Sequence, residues 1–190
     1  MPGTEDVTTL LERLARGERQ ALDALLPIVY DELCVLARRQ RYRFRGEEAP
    51  ATESLVHGAY MKLADQARAD WKCRAQFFYV ASLAMRSLLI DQARRRGRRK
   101  RGGGVAPVPL VEDALAAPGR GEDLLALDAA LDRLARSHER LARIVECRFF
   151  GGLTIEETAQ ATGLSPATVK RGWDEARLRL YEDLRGSGAP

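Results

Sequence analysis

Apolar residues recur along this chain at the spacing of an α-helix, three or four residues apart. No stretch shows the alternation of a half-buried β-strand, so the pattern predicts an all-α protein. Pro27 lies inside the second apolar run and is expected to kink or restart that helix. The predicted helices are 4–16, 18–40, 51–66, 75–100, 122–136, 138–150, 154–162 and 165–184.

Residues 102–123 interrupt the helical pattern. They contain five Gly, three Pro and four acidic residues against one Arg, a composition typical of a linker. We therefore predict two helical domains, at 1–101 and 124–190, joined by a flexible acidic linker at 102–123.

The charge of the chain is unevenly distributed. Its 190 residues carry a net charge of +4, but residues 68–101 alone hold eleven Lys or Arg and only two Asp, which leaves the remainder acidic. A basic block inside an acidic protein favours a polyanionic partner such as nucleic acid. The Arg run continues the register of "AQFFYVASLAMRSLLID", so we expect the charges to extend a helix that is anchored in a core.

Aromatic residues stand among cations just before this helix. Trp71, Phe77, Phe78 and Tyr79 share the stretch with Lys72 and Arg74. Aromatic rings beside cations can hold unstacked bases over a neutralised phosphate backbone. The alternative is plain core packing, which we expect for at least two of the four, with Trp71 the exception.

The sequence offers little for catalysis or metal binding. The three Cys are far apart in no ligand pattern, and His57 and His138 have no partner at metal-ligand spacing. We expect no catalytic residue, no metal and no cofactor, so the protein is not predicted to be an enzyme. With neither a signal peptide nor an apolar run of membrane-spanning length, the predicted location is the cytoplasm.

The stretch "TIEETAQATGLSPATVKRGW", residues 154–173, has the pattern of a helix-turn-helix. Thr154 and Glu157 have the spacing of a capping box that starts a helix. Gly163 suits a tight turn. Ser165 and Pro166 are a cap and first residue for a second helix.

The second helix of this motif is predicted to bury Val169 and Trp173 and to turn polar residues outward. An outward face of this kind can enter a major groove and contact base edges or phosphates. Gly172 is interpreted as allowing a close approach to DNA. The alternative is an αα-hairpin, or a helix-turn-helix used for protein contact. The predicted DNA-binding residues are Ser165, Thr168, Lys170, Arg171 and Arg177.

These motifs together resemble an extracytoplasmic-function (ECF) sigma factor, a small member of the sigma-70 family with regions 2 and 4 only. The resemblance spans about residues 4 to 184. "ESLVHGAYMKLAD" is similar to the helix that binds core polymerase, "MRSLLIDQARRR" to the segment that meets the −10 element, and "RIVECRFFGGLTIEETAQATGLSPATVKRGWDEARLRLYEDL" to the region that reads the −35 element.

The resemblance implies a noncatalytic protein whose partners are core RNA polymerase and promoter DNA, and it leaves an anti-sigma partner open. The helix-turn-helix residues would read the −35 element. The implied −10 residues are Trp71, Arg86, Arg94, Arg95 and Arg98. The implied polymerase-binding residues are Leu55, Val56, Tyr60 and Lys62.

One departure from the family concerns the start of the polymerase-binding helix. Many members have an acidic cluster where this chain has Ala51, Thr52, Glu53 and Ser54. The surrounding texture resembles a branch linked to serine/threonine kinases, which implies a kinase partner and a phosphorylated Thr52 that supplies the missing charge. The alternative is that Thr52 is only a helix cap.

A second class of function also fits the helix-turn-helix. A conventional transcriptional regulator would use the motif to bind duplex DNA without polymerase, with the first domain serving for dimerisation or sensing.

Overall fold

The computed structural model describes residues 6–43, 50–65, 73–99 and 121–186. These ranges form seven α-helices and one π-helical turn and contain no β-strand, which confirms the all-α prediction. None of the helices found in them is long and apolar enough to cross a bilayer. The α-helices are α1 (Val7–Ala15), α2 (Gln20–Arg43), α3 (Thr52–Asp65), α4 (Arg74–Arg99), α5 (Gly121–Val145), α6 (Ile155–Thr162) and α7 (Pro166–Gly186), and the π-helical turn is Glu146–Phe150.

Helices α1 to α4 form the first lobe. Each contributes one apolar stripe, because its buried residues recur three or four positions apart. Helix α3, for example, buries Leu55, Ala59 and Leu63, while Phe77, Ala81 and Met85 of α4 are fully covered. Phe77 and Phe78 are therefore core residues, which confirms the core-packing expectation for two of the four aromatics.

Pro27 does not restart α2, which runs unbroken from Gln20 to Arg43. A proline removes the hydrogen bond to the carbonyl four residues earlier, here that of Asp23. Both Pro27 and Asp23 are exposed, so the freed carbonyl lies on the solvent side of the helix. The expected restart is wrong for this reason.

Helices α5 to α7 form the second lobe. Helix α5 is interrupted at His138, whose φ of −145° and ψ of 65° are non-helical, at the boundary between the two helices predicted there. Helix α5 also begins at Gly121, so the last three residues of the predicted linker are helical. The rest of that linker lies outside the described residues.

A π-helical turn connects α5 to α6. It spans Glu146–Phe150 and buries Cys147, Phe149 and Phe150. Such turns are rare and widen the helix locally. This turn packs against α4, and the buried residues of both lobes form one continuous apolar cluster. The two lobes are therefore in direct contact.

Candidate nucleic-acid interface

The helix-turn-helix is formed by α6 and the beginning of α7. Thr154 Oγ1 accepts a hydrogen bond from the Glu157 backbone N–H at 3.1 Å, and the Glu157 carboxylate accepts one from the Thr154 N–H at 2.8 Å. Gly163 ends α6 with a φ of 72°, a left-handed conformation that favours glycine. The predicted capping box and turn are both confirmed.

The start of α7 is fixed by its own cap. Ser165 Oγ lies 3.2 Å from the Thr168 N–H, which donates to it, and 2.8 Å from Thr168 Oγ1. Val169 and Trp173 are buried against the rest of the lobe, as predicted. The register of α7 is thus set from both its amino terminus and its apolar side.

The opposite side of α7 carries the residues predicted to contact DNA. Ser165, Lys170 and Arg171 are exposed, and Thr168 is half-buried. Within the described ranges neither Lys170 nor Arg171 forms an ion pair, so both cations are available to a ligand. Arg177 lies further along the helix, with its guanidinium 5.9 Å from the centre of the Trp173 ring.

Gly172 does not face solvent, so the interpretation that it allows a close approach to DNA is wrong. It is buried on the side of α7 that packs on α5. A Cβ built there would lie 2.6 Å from Ile144 Cδ1 and 3.3 Å from Leu141 Cδ2. The glycine serves the packing of two helices.

The predicted −10 residues Arg94 and Arg95 lie towards the carboxyl end of α4. Helix α4 continues to Arg99, which confirms that the charge run extends a core-anchored helix. The Arg94 side chain is 58% exposed and lies 3.3 Å from Asp128 of α5. Arg95 is exposed, and its Nε donates to the Asp91 carbonyl at 3.3 Å. The Arg98 side chain and all of Trp71 lie outside what the structure describes.

Arg86 has a different environment from the other predicted −10 residues, because it is only 7% exposed. Its guanidinium pairs with Asp128 at 2.6 Å and Glu146 at 2.9 Å, both from the second lobe, and lies 4.8 Å from the centre of the Phe150 ring. In this conformation the second lobe covers Arg86, so the predicted contact with the −10 element requires the lobes to separate and stays a prediction.

Tyr79 completes the surroundings of Arg86. Its hydroxyl donates to Glu146 at 2.8 Å. Burial, with the nearby Glu146 carboxylate, raises the pKa of Tyr79 well above its usual value, because the charged phenolate is disfavoured in both ways. Tyr79 therefore remains a hydrogen-bond donor and belongs to the contact between the lobes.

The predicted polymerase-binding residues divide into two groups on α3. Leu55 and Val56 are buried in the first lobe, which corrects the expectation that they offer a surface. Tyr60 and Lys62 are half-buried. The Tyr60 hydroxyl donates to Asp23, and Lys62 Nζ donates to Ser87 Oγ at 2.6 Å.

The sequence analysis did not identify Met61, which is the most exposed of the large apolar side chains on α3. Met61 is 50% exposed. Its position could have been found from the helical register, because the buried face of α3 is set by Leu55, Ala59 and Leu63 and Met61 lies off that face.

Thr52 is the first residue of α3 and is only 6% exposed. Its Oγ1 accepts a hydrogen bond from Arg41 Nη1 at 2.9 Å. The Thr52 hydroxyl therefore lies near two sources of positive potential. One is the Arg41 guanidinium, and the other is the amino terminus of α3.

The remaining candidates for chemistry are dispersed. His57 is exposed on α3, and His138 is half-buried at the break in α5. Across the ranges that the structure describes, no three His, Cys, Asp or Glu side chains come together as a metal site would require. Cys34 and Cys147 are buried free thiols.

A family model with the description "ECF sigma factor" matches residues 4–186 of the chain. Comparison with the curated proteins and with the solved structures found no match.

Proposed function

The chain belongs to the ECF sigma factor family, and from that premise we propose how its residues bind core RNA polymerase and promoter DNA. ECF sigma factors direct transcription initiation; they are transcription factors and not enzymes. We place the protein in the cytoplasm, where polymerase and chromosome are found.

The observation that carries the proposal is the exposed polar face at the start of α7. Ser165, Lys170 and Arg171 are exposed on one face of the helix. The opposite face is packed against the lobe through the buried Val169 and Trp173. A recognition helix contacts base edges through its amino-terminal part. We assign −35 contacts to Ser165, Thr168, Lys170, Arg171 and Arg177.

For the −10 element the proposal relies on α4 and the segment before it. Arg94 and Arg95 lie on a helix that is rigidly anchored by its buried apolar stripe and that carries further Arg residues to its end. Cations on such a helix can neutralise duplex phosphates. Arg98 and Trp71 are assigned to the same element from the family resemblance, and Arg86 joins them once the lobes separate.

For polymerase binding we propose the surface of α3. Tyr60 and Lys62, with the exposed Met61, supply the contact. Leu55 and Val56 contribute indirectly, because these buried residues pack α3 against the other helices of the first lobe.

We also propose that phosphorylation of Thr52 strengthens polymerase binding. Arg41 already donates to Thr52 Oγ1 at 2.9 Å, and guanidinium is the preferred partner of a phosphate. The helix amino terminus adds favourable potential for the same charge. Because Thr52 is 6% exposed, a kinase must first open the start of α3.

The kinase proposal is tested by measuring the affinity for core polymerase of the wild type, Thr52→Ala and Thr52→Glu. We expect kinase treatment to tighten binding of the wild type only, and Thr52→Glu to bind more tightly than Thr52→Ala without treatment. Equal affinity of all three proteins after kinase treatment would overturn the switch and leave Thr52 as a structural residue.

The overall function is tested by transcription from a randomised promoter library with purified core polymerase. We expect a restricted set of promoters, transcribed only when both the chain and the core enzyme are present. A conventional regulator, the second candidate, would instead bind a specific duplex operator by itself and would select no promoters in this assay.

A further inference from the structure

The two lobes are joined by an ion cluster, which we call the Arg86 cluster and which consists of Arg86, Asp128 and Glu146. Arg86 comes from the first lobe and both carboxylates come from the second. Asp128 is 10% exposed at its side chain and Glu146 is 21% exposed, so the cluster is largely removed from water. The Asp128 carboxylate also forms an ion pair with the Arg94 guanidinium, at 3.3 Å.

A second set of contacts ties α2 to the π-helical turn. The Gln40 amide donates to the Phe150 carbonyl at 3.2 Å, and the Arg43 guanidinium donates to the Phe149 carbonyl and lies 4.4 Å from the Phe149 ring centre. Phe149 and Phe150 end the π-helical turn, and the last carbonyls of a helix have no partner within it. In this way the turn between α5 and α6 offers acceptors to the first lobe.

The carboxylates of Asp128 and Glu146 occupy the guanidinium that, under the proposed function, would bind DNA phosphates. A guanidinium forms the same paired hydrogen bonds with either group. Arg86 therefore cannot bind promoter DNA while Asp128 and Glu146 hold it, and the nearby Arg94 is partly engaged by the same Asp128.

The Arg86 cluster is also incompletely satisfied. Arg86 Nε is buried without a hydrogen-bond partner in the described part of the chain. Buried ion pairs lose much of their Coulomb energy to desolvation, and an unpaired buried donor adds a further cost. A cavity of about 270 Å³ lined by Arg86, Arg94 and Asp128 adjoins the cluster. The contact is therefore suited to opening.

We propose that Asp128 and Glu146 hold the protein in a closed state that withholds Arg86 from DNA until the two lobes separate. This inference rests on the proposed function, because it gives Arg86 a role in promoter binding. Opening exchanges two protein carboxylates for DNA phosphates at the same guanidinium. The free protein is thereby kept from binding DNA through its first lobe.

The test compares the wild type with Asp128→Asn/Glu146→Gln, two isosteric changes that remove the attracting charges. The matched control is Glu139→Gln/Glu182→Gln, which removes the same charge from exposed positions of the second lobe that do not line the cavity beside the Arg86 cluster. Small-angle X-ray scattering of each full chain measures the radius of gyration. Binding of a labelled duplex of random sequence measures access to phosphates.

We expect the cluster variant to have a larger radius of gyration than both other proteins and to bind the duplex about tenfold more tightly than the control. That factor corresponds to a tenfold rise in the fraction of open molecules. Comparison with the control removes the general gain in DNA affinity that any loss of negative charge brings.

An unchanged radius of gyration in the folded cluster variant would overturn the proposal. An increase without tighter duplex binding than the control would also overturn it, since Arg86 would then be no more available when the lobes part. If circular dichroism shows that the double variant is unfolded, Glu146→Gln alone decides the matter by the same two measurements.

The proposed function is judged separately. If no variant supports promoter-specific transcription with core polymerase, the proposed function fails, whereas scattering and random-duplex binding still decide whether the Arg86 cluster closes the molecule.

Discussion

Replacing Gly172 with Ala tests the conclusion that this glycine serves the packing of α7 on α5. The new Cβ would lie 2.6 Å from Ile144 Cδ1 and 3.3 Å from Leu141 Cδ2. Ile144 is 0% exposed and Leu141 is 3% exposed, so neither side chain can turn outward into solvent. The added methyl group must push the two helices apart or force a strained rotamer.

Two effects of opposite sign decide the outcome. Alanine in place of glycine inside a helix stabilises by about 1 kcal/mol. Overpacking a well-filled core costs about 1–3 kcal/mol. With the middle of that range, the free energy of unfolding falls by about 1 kcal/mol, which for a chain of this size lowers Tm by about 3 °C.

Gly58→Ala provides a matched control within the same chain. A Cβ at Gly58 would lie 2.6 Å from Leu88 Cδ1, the same approach as at Gly172. Leu88, however, is partly exposed, so its end can rotate towards solvent. We expect Gly58→Ala to be neutral or to stabilise by up to about 1 kcal/mol, since the helical gain is retained.

The assay is urea and thermal unfolding followed by far-UV circular dichroism, with random-sequence duplex binding measured on the same samples. If Gly172→Ala is as stable as Gly58→Ala, the packing argument is refuted. A loss of DNA affinity by Gly172→Ala with no loss of stability would restore the idea that this glycine approaches DNA.

Four further predictions follow from the same structure. Thr154→Ala removes the side-chain cap of α6 and should lower the free energy of unfolding by about 1 kcal/mol; an unchanged urea midpoint would contradict it. Arg171→Ala should lose about 1–3 kcal/mol of discrimination at one or two −35 positions in promoter selection, whereas uniform weakening would reassign Arg171 to phosphates. Changing Arg94 and Arg95 to Ala should flatten the salt dependence of promoter-complex formation with core polymerase by a slope of about two, and an unaltered slope would leave them as solvated charge. Burial raises the pKa of Cys147 to about 12, so its thiol should resist iodoacetamide at neutral pH in the folded protein; rapid alkylation would show that it is accessible as thiolate.

The features that sequence could predict are those encoded within a few residues. The capping box of Thr154 and Glu157 and the left-handed Gly163 each depend on local spacing and backbone preference. The break at His138 lies at the boundary between the two helices that the apolar periodicity predicted. The apolar periodicity of α4 likewise predicted that the Arg run is helical, because the run continues the register of the preceding apolar residues.

The features that sequence missed depend on residues far apart in the chain. Arg86 is 42 residues from Asp128 and 60 from Glu146, and no local pattern brings these together. A glycine at position 172 is unexpected inside a helix when only the local sequence is considered. Its small size is required by the packing of Ile144, which lies in another helix. Leu55 is a different case. It shares a helical face with the other buried residues of α3, and this periodicity already indicated a core position. The family resemblance had instead implied a contact with polymerase.

A sigma factor acts through core RNA polymerase, so association of this chain with the purified core enzyme is the decisive measurement. Size-exclusion chromatography with light scattering should show the chain eluting with polymerase as a complex, more completely after kinase treatment. A chain that elutes entirely apart from the core enzyme, both before and after phosphorylation, would show that it does not act as a sigma factor.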